Sequence, residues 1–513
     1  MNVGNLTSKD AVRFKDRVAV TDTNGYSATF VELEERACNV AAHLESKFGL
    51  KRGDRVAVFL SNRGEVVEQM VGAAKIGVTY IGLNFRLDVG ELENVFANAE
   101  PSLLVTGAAQ LETAQELSRR FNLPVWNVDD EVAPPASQEA LAHIHETTAT
   151  VRPEDDFCIV YSSGTTGLPK GIQFDHRAVL THGAVNCLEF EMDDTCIYAV
   201  ALPHNSSINI TLVPCLMVGA RMHFLENRGF DPTEYYAEIE RTQATHSYLV
   251  PTQVYRVLSV PPAPGQIDSL QTLGYGAAAT APDKVLEFLE LMGPRIVQLY
   301  GMAEIASIAT ILRKQEHFEK VAGERPPTAS VGRPSYMTHL RVIDDNGKDV
   351  PSGERGEVIF TSPYIMKGYF RDPERTADAL RDGWIYTGDI GIIDEAGFVH
   401  IVDRKKDLII RGGHNIASSE IEAVLYKHPD VLEAAAYGVP DEQWGERIIA
   451  SVVLREGGAA DGAEILDWFK SISGLGAIKT PDAVEIIAEM PKNGIGKVVK
   501  RDLREAYLAA QGS

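Results

Sequence analysis

The sequence predicts an α/β protein. It has a large N-terminal domain of two α/β layers with a small β-rich subdomain, followed by a small α+β C-terminal domain. Three observations predict it. Short apolar runs alternate with amphipathic stretches on both sides of a Ser/Thr/Gly-rich loop at 162–167. From about residue 331 the texture changes to short strands and turn signals. Beyond a charge cluster at 403–407 a compact mix of helices and strands follows.

The first layer lies in residues 55–125. Arg55 to Leu60 reads as a buried strand. Glu65 to Gly77 reads as a helix, with Val66, Met70, Ala73 and Ala74 along one stripe. A strand at Val78 to Gly82, a helix at Leu87 to Ala99 and a strand at Ser102 to Thr106 complete a β-α-β-α-β rhythm. The rhythm returns after the loop, with strands at 196–202, 221–225, 246–250 and 295–300 and helices at 232–242 and 282–292. In the β-rich subdomain at about 331–400, Asp344 to Gly347, Pro351 to Gly353 and Asp394 to Gly397 read as hairpin turns. The C-terminal part predicts a helix at 419–427, strands at 432–438 and 447–454, a helix at 462–472 and a strand near 483–487. Domain boundaries are set at 1–405 and 406–513, with the charge cluster Asp403 to Asp407 as hinge candidate; a solvated turn is its plainer reading.

The 513 residues carry a formal net charge of -23, which opposes a nucleic-acid duplex as partner. Any polyanionic ligand then needs a local cluster of cations and backbone N–H groups. Five cysteines without a C-x-x-C pair argue against a disulfide framework and a structural zinc site. No run approaches the roughly 18 apolar residues of a membrane span. The N-terminus has no apolar signal core, and the C-terminus is not a peroxisomal tripeptide, so the expected compartment is the cytoplasm.

Phe157 to Tyr161 reads as a strand, and Ser162, Ser163, Gly164, Thr165, Thr166, Gly167, Leu168, Pro169, Lys170 and Gly171 follow it. Glycines let successive backbone N–H groups face one anion, and the hydroxyls and Lys170 add donors and charge. A Walker A loop fails here. Pro169 rather than Gly precedes Lys170, Gly171 rather than Ser or Thr follows it, and Gly171 to Phe174 looks extended. Composition alone would equally suit a surface loop.

As a string, Tyr161 to Gly171 resembles the phosphate loop of the adenylate-forming superfamily: acyl-CoA synthetases, peptide-synthetase adenylation domains and beetle luciferases. Four further blocks follow in the family's order: Tyr300-Gly-Met-Ala-Glu304, Tyr386-Thr-Gly-Asp389, Asp403-Arg-Lys-Lys-Asp407 with Gly412-Gly413, and Pro491 to Lys497. The resemblance implies ATP, Mg²⁺ and a carboxylic acid as ligands. Thr165, Thr166 and Lys170 would hold the β- and γ-phosphates, and Glu304 the Mg²⁺. Tyr300 would stack on adenine, with Gly276, Ala277, Ala278 and Gly301 around the base. Asp389, helped by Arg404, would bind the ribose, and Lys497 would serve the α-phosphate and the attacking carboxylate. Ala303 departs from the family's Thr, so one hydroxyl donor is missing.

Within the superfamily the chain resembles acyl- and aryl-CoA ligases. Gly412 and Gly413 match a loop that lets pantetheine pass, and Trp444 a residue packed beside it. The family's small domain is mobile and turns about a residue that here is Lys406. His204, Tyr248, Gly301, Met302 and Ile305 would line the acid pocket, whose apolar cast and lack of an acidic residue suit a medium aliphatic or aryl acid better than an amino acid. The alternatives are a free-standing enzyme that loads a carrier protein and a non-catalytic nucleotide-binding relative. Nothing in the sequence opposes a homodimer.

Overall fold

The structure, a computed structural model, describes residues 1–162, 169–226, 229–278, 280, 282–320, 326–472, 474–492 and 498–511. The chain falls into two compact units. One comprises Met1–Leu340 with Phe360–Ile385, the other Arg341–Ile359 with Tyr386–Ser513.

Two sheets build the first unit. In the seven-stranded sheet, Val125–Asn127, Leu103–Thr106, Arg55–Phe59, Thr79–Gly82 and Asp156–Ser162 run parallel, and Lys170–Asp175 and Gly368–Tyr369 close the edge antiparallel. In the nine-stranded sheet the parallel strands are Ile296–Tyr300, Thr272–Gly276, His246–Leu249, Ile197–Val200, Arg221–Phe224 and Val18–Asp22, side by side. Side-chain alternation sets the layers. Val56 and Val58 point into the core that both sheets share, with Tyr198, Val200 and Tyr248 from the other sheet. Ala57 and Phe59 point the opposite way, against Leu92, Phe96 and Leu117. Ala199 and Leu249 likewise face a separate core with Tyr236 and Phe288. The result is five layers, helices alternating with sheets.

The helices start where local chemistry dictates. Thr29 and Glu32 form a capping box for Phe30–Ser46, Asp88 and Glu91 another for Val89–Ala99, and Asp175 caps His176–Glu189. Between helices, Lys75 is fully buried and donates to Gly4 O, Ser8 Oγ and the Glu34 carboxylate at 3.0, 3.1 and 2.9 Å. A buried ammonium is tolerated because every contact compensates its lost hydration.

His339–Ile343, Gly356–Thr361, Trp384–Ile393 and Val399–Arg404 lie side by side in a further sheet; the predicted turns at 344–347 and 351–353 fall between its first two strands and that at 394–397 between its last two, while 362–383, with Pro373–Ala379 helical, join the middle pair. Val431–Asp441 and Gly445–Leu454 pair antiparallel, with Ala483–Ile486 parallel to the latter and helices Ser418–Leu425 and Gly462–Ile472 packed nearby. All five cysteines are free, with Cys158 and Cys215 buried. Among the described residues no helix is long and apolar enough to cross a membrane.

Four histidines of the first unit are held neutral by burial, with pKa values pushed down from 6.5 to about 4 for His176, His204 and His246 and about 3 for His182. Between those values and 6.5 the unfolded chain takes up protons that the folded chain refuses. Stability therefore falls as pH drops through that window, by about 1.4 kcal/mol per pH unit for each such group. His246→Gln, which keeps a polar partner for Phe190 O and Thr245 Oγ1, is expected to flatten the slope by about that amount between pH 5 and 6. Urea unfolding at several pH values measures it, and an unchanged slope rules out the assignment.

Candidate active site

The predicted adenine and acid residues come together at one edge. Strands Ile197–Val200, His246–Leu249, Thr272–Gly276 and Ile296–Tyr300 are parallel neighbours, so their C-terminal ends align. This is the edge at which open parallel sheets bind ligands. It carries Tyr248, Gly276, Ala277, Ala278, Tyr300, Gly301, Met302, Glu304 and Ile305. Two glycines are forced by packing. A Cβ on Gly276 would lie 2.3 Å from Leu299 O and 2.8 Å from the Tyr248 hydroxyl, and one on Gly301 would lie 2.2 Å from Ser307 O. Three non-glycine residues in the edge loops have positive φ: Ala277 at 73°, Ala306 at 55° and Ser307 at 118°. Such strain persists where the surroundings enforce it, and it clusters at ligand sites.

Ala277 and Ala278 are exposed beyond buried Gly276. Ile305 and Tyr248 are buried, and Tyr300, Gly301 and Met302 are half-buried. His204 is fully buried at the start of a short helix. Its backbone N–H donates to Asn62 Oδ1 at 2.9 Å, its Nδ1 lies 3.3 Å from the Tyr80 hydroxyl, and its ring also reaches the Leu60 backbone.

Of the phosphate loop, Ser163, Gly164, Thr165, Thr166 and Gly167 lie outside the described residues. Its two ends are paired: Ser162 opposes Lys170 and Tyr161 opposes Gly171 across an antiparallel ladder. Gly171 to Phe174 is extended, as expected. The Lys170 ammonium sits over the Tyr369 ring, 4.9 Å from its centroid. The Tyr369 hydroxyl donates to Glu304 Oε1 at 2.6 Å, and Met366 N–H donates to Glu304 O at 2.8 Å. Burial and the Glu304 charge both raise the Tyr369 pKa, so it stays a donor. Glu304 is buried on a single helical turn, Ala303–Ile305. One oriented carboxylate beside a phosphate loop fits Mg²⁺, which takes one or two carboxylates and completes its shell with phosphate oxygens.

Residues of the second unit group among themselves. Asp389, buried, opposes Arg404 across the ladder, and their side chains pair at 3.0 Å. Asp403 accepts from Ser418 N–H and Oγ at 2.5 and 2.7 Å and so anchors helix Ser418–Leu425, while Lys406 is exposed in the turn after Arg404. Gly412 and Gly413, at φ 57° and 79°, form a two-residue hairpin turn between Arg411 and His414. Gly412 N–H donates to Trp444 O at 2.7 Å, and the Arg411 guanidinium lies 5.6 Å from the Trp444 ring. Lys497 lies outside the described residues.

Sequence reasoning missed Tyr369, Asn62 and Tyr80. Tyr369 sits on a two-residue strand, too short for any periodic signal, and the others are single residues in ordinary strands and turns.

Comparison with known proteins identifies a family over most of the chain. Residues 7–370 match the family model described as AMP-binding enzyme, and residues 420–497 match AMP-binding enzyme C-terminal domain. A feruloyl-CoA synthase of Amycolatopsis is 34% identical over 94% of each chain. A medium/long-chain-fatty-acid–CoA ligase of Mycobacterium tuberculosis is 30% identical over 93% of this chain and 86% of its own. The solved amide bond synthetase McbA from Marinactinospora thermotolerans superposes with a TM-score of 0.85 at 30% identity, covering 99% of this chain and 100% of its own.

Tyr369→Phe removes the hydroxyl that orients Glu304. A hydrogen bond to a charged group contributes about 1.5–3 kcal/mol, so acid-dependent ATP–pyrophosphate exchange is expected to fall at least roughly tenfold, with a raised Mg²⁺ requirement. An unchanged rate and Mg²⁺ dependence would mean that the backbone alone positions Glu304.

Proposed function

The chain belongs to the AMP-binding enzyme family, among its acyl- and aryl-CoA ligases, and from that premise we propose that it adenylates a carboxylic acid and then passes the acyl group to coenzyme A. The observation that carries the reading is the line Lys170–Tyr369–Glu304, which sets a cation for phosphate and a carboxylate for metal on one tyrosine.

In the first step a carboxylate oxygen attacks the α-phosphorus of ATP. The bond to the β-phosphate breaks, and pyrophosphate leaves. Thr165, Thr166 and Lys170 hold the departing phosphates, and Tyr300 and the edge at Gly276 to Ala278 take the adenine. Asp389, fixed by Arg404, takes the ribose hydroxyls. Glu304 would hold Mg²⁺, which when bound would supply charge neutralisation on the phosphates. Lys497 meets the negative charge that builds between carboxylate and α-phosphate. Ala303 offers no hydroxyl there, which leaves more of that work to Lys497. In the second step the coenzyme A thiolate attacks the acyl carbon and AMP leaves with the bonding pair. Gly412 and Gly413, without side chains, and the exposed Trp444 suit a narrow pantetheine path. Medium aliphatic and aryl acids are the candidate substrates, in keeping with the feruloyl- and fatty-acid-specific names of two relatives.

The likeness to an amide bond synthetase supports a second reading, in which an amine takes the acyl group. A panel of aryl and aliphatic acids with ATP and Mg²⁺, with coenzyme A or an amine, tests both. AMP release that depends on coenzyme A and yields acyl-CoA is expected; turnover with the amine alone refutes the thioester step. Lys497→Ala is expected to slow adenylation by roughly 10²–10³, the cost of losing a comparable electrostatic donor. Lys406→Pro, which restricts the turn, is expected to slow single-turnover thioester formation more than pyrophosphate release. Equal loss in both assays would sink the hinge role.

A further inference from the structure

The turn at 202–205 follows strand Ile197–Val200 of the nine-stranded sheet, so it stands at the same edge as Tyr248 and Gly276. Its polar contacts, however, reach across to the other sheet. Asn62, in the loop after strand Arg55–Phe59 of the seven-stranded sheet, is buried. Its Oδ1 accepts from His204 N–H at 2.9 Å, and its Nδ2 donates to Leu202 O at 2.8 Å. One amide thus clamps the turn at both ends. The first N–H groups of a helix have no partner inside it, and His204 opens the helix His204–Ser207. Asn62 supplies that missing acceptor from a distant part of the chain.

The ring of His204 points the same way. Burial holds it neutral, with its pKa pushed down to about 4, so one nitrogen donates and the other accepts. Nδ1 meets the Tyr80 hydroxyl at 3.3 Å, and the ring also reaches the Leu60 backbone. Both partners belong to the seven-stranded sheet or lie just past one of its strands.

Gly82 completes the seat. It ends strand Thr79–Gly82, and a Cβ there would lie 3.2 Å from Asn205 Cα and 3.3 Å from Asn205 Cβ. Gly82 has no positive φ, so its missing side chain serves space and not conformation. Strand Thr79–Gly82 runs beside Asp156–Ser162, with Tyr80 opposite Cys158, and the latter strand ends where the phosphate loop begins. The turn that carries His204 is therefore seated on the immediate neighbour of the phosphate-loop strand.

Resting on the ligase reading above, we propose that Asn62 and Gly82 are positioning residues for the acid. They fix the height of the turn at 202–205 against the phosphate-loop strand, and through it the acid carboxylate opposite the α-phosphate. Neither touches the reacting atoms. Their effect is on alignment, where a misplacement of about 1 Å can cost roughly 10²-fold in rate.

The test uses the full chain with ATP, Mg²⁺ and either octanoate or 3-phenylpropanoate. Asn62→Ala removes the clamp. Gly82→Ala breaks no hydrogen bond and pushes the turn by a few tenths of an ångström, so it serves where the first variant folds poorly. In ATP–pyrophosphate exchange, kcat/KM for the acid is expected to fall roughly 10–10²-fold in Asn62→Ala and roughly three- to tenfold in Gly82→Ala, with KM for ATP within about twofold of the parent. An acid kcat/KM that both variants leave intact, or a KM for ATP that rises in step with the loss, overturns the proposal. Hydrogen exchange of a peptide covering 202–207 reads the clamp without turnover: lost protection in Asn62→Ala is expected, and unchanged protection overturns the clamp whatever the activity. A parent chain that exchanges with no acid of the panel refutes the ligase reading, and this inference falls with it.

Discussion

One hydrogen bond joins the two sheets at the point where they must agree. Tyr369 belongs to the seven-stranded sheet, bonded to the strand that carries Lys170, while Glu304 follows the Tyr300 strand of the nine-stranded sheet. The bond from the Tyr369 hydroxyl to Glu304 is charge-assisted, and a backbone bond from Met366 N–H to Glu304 O adds a second link. A shift of either sheet by one residue would break both. Lys170 and the Glu304 carboxylate are therefore held in register by the packing of the two sheets.

The remaining ligand groups follow from topology. Parallel strands joined by helical crossovers present all their C-terminal ends at one edge. Tyr248, Gly276, Tyr300 and Glu304 come from three adjacent strands because of this rule, although they span more than fifty residues of sequence. The close approaches of Gly276 and Gly301 to neighbouring backbone, and the positive φ of Ala277, Ala306 and Ser307, show how tightly that edge is drawn.

This explains what could be read from the sequence. Parallel strands are buried on both faces, so Arg55 to Phe59 and Ile296 to Tyr300 appear as apolar runs and fall within a residue or two of expectation. Capped helices such as Pro232–Thr242 coincide with it. The motif blocks named Lys170, Glu304, Asp389 and Arg404, and the structure sets them in two local groups. Strand Thr272–Gly276 escaped because Gly274 and Gly276 dilute its pattern; they are there to admit Phe190 and Tyr248. Tyr369 escaped because a two-residue strand has no period. His182 and Asn186 escaped because a polar residue on a helix ordinarily faces water, and only the packed structure shows them inside.

That last group marks the difference between the two kinds of information. Local pattern reports what stabilises an element, so it finds strands, caps and glycine turns. Groups kept at a cost to stability contradict the pattern, and sequence reasoning assigns them to the surface by default. In this chain such contradictions gather at one place: Ala277, Ala306 and Ser307, all at positive φ, lie in the loops of the edge that carries Tyr248 and Tyr300.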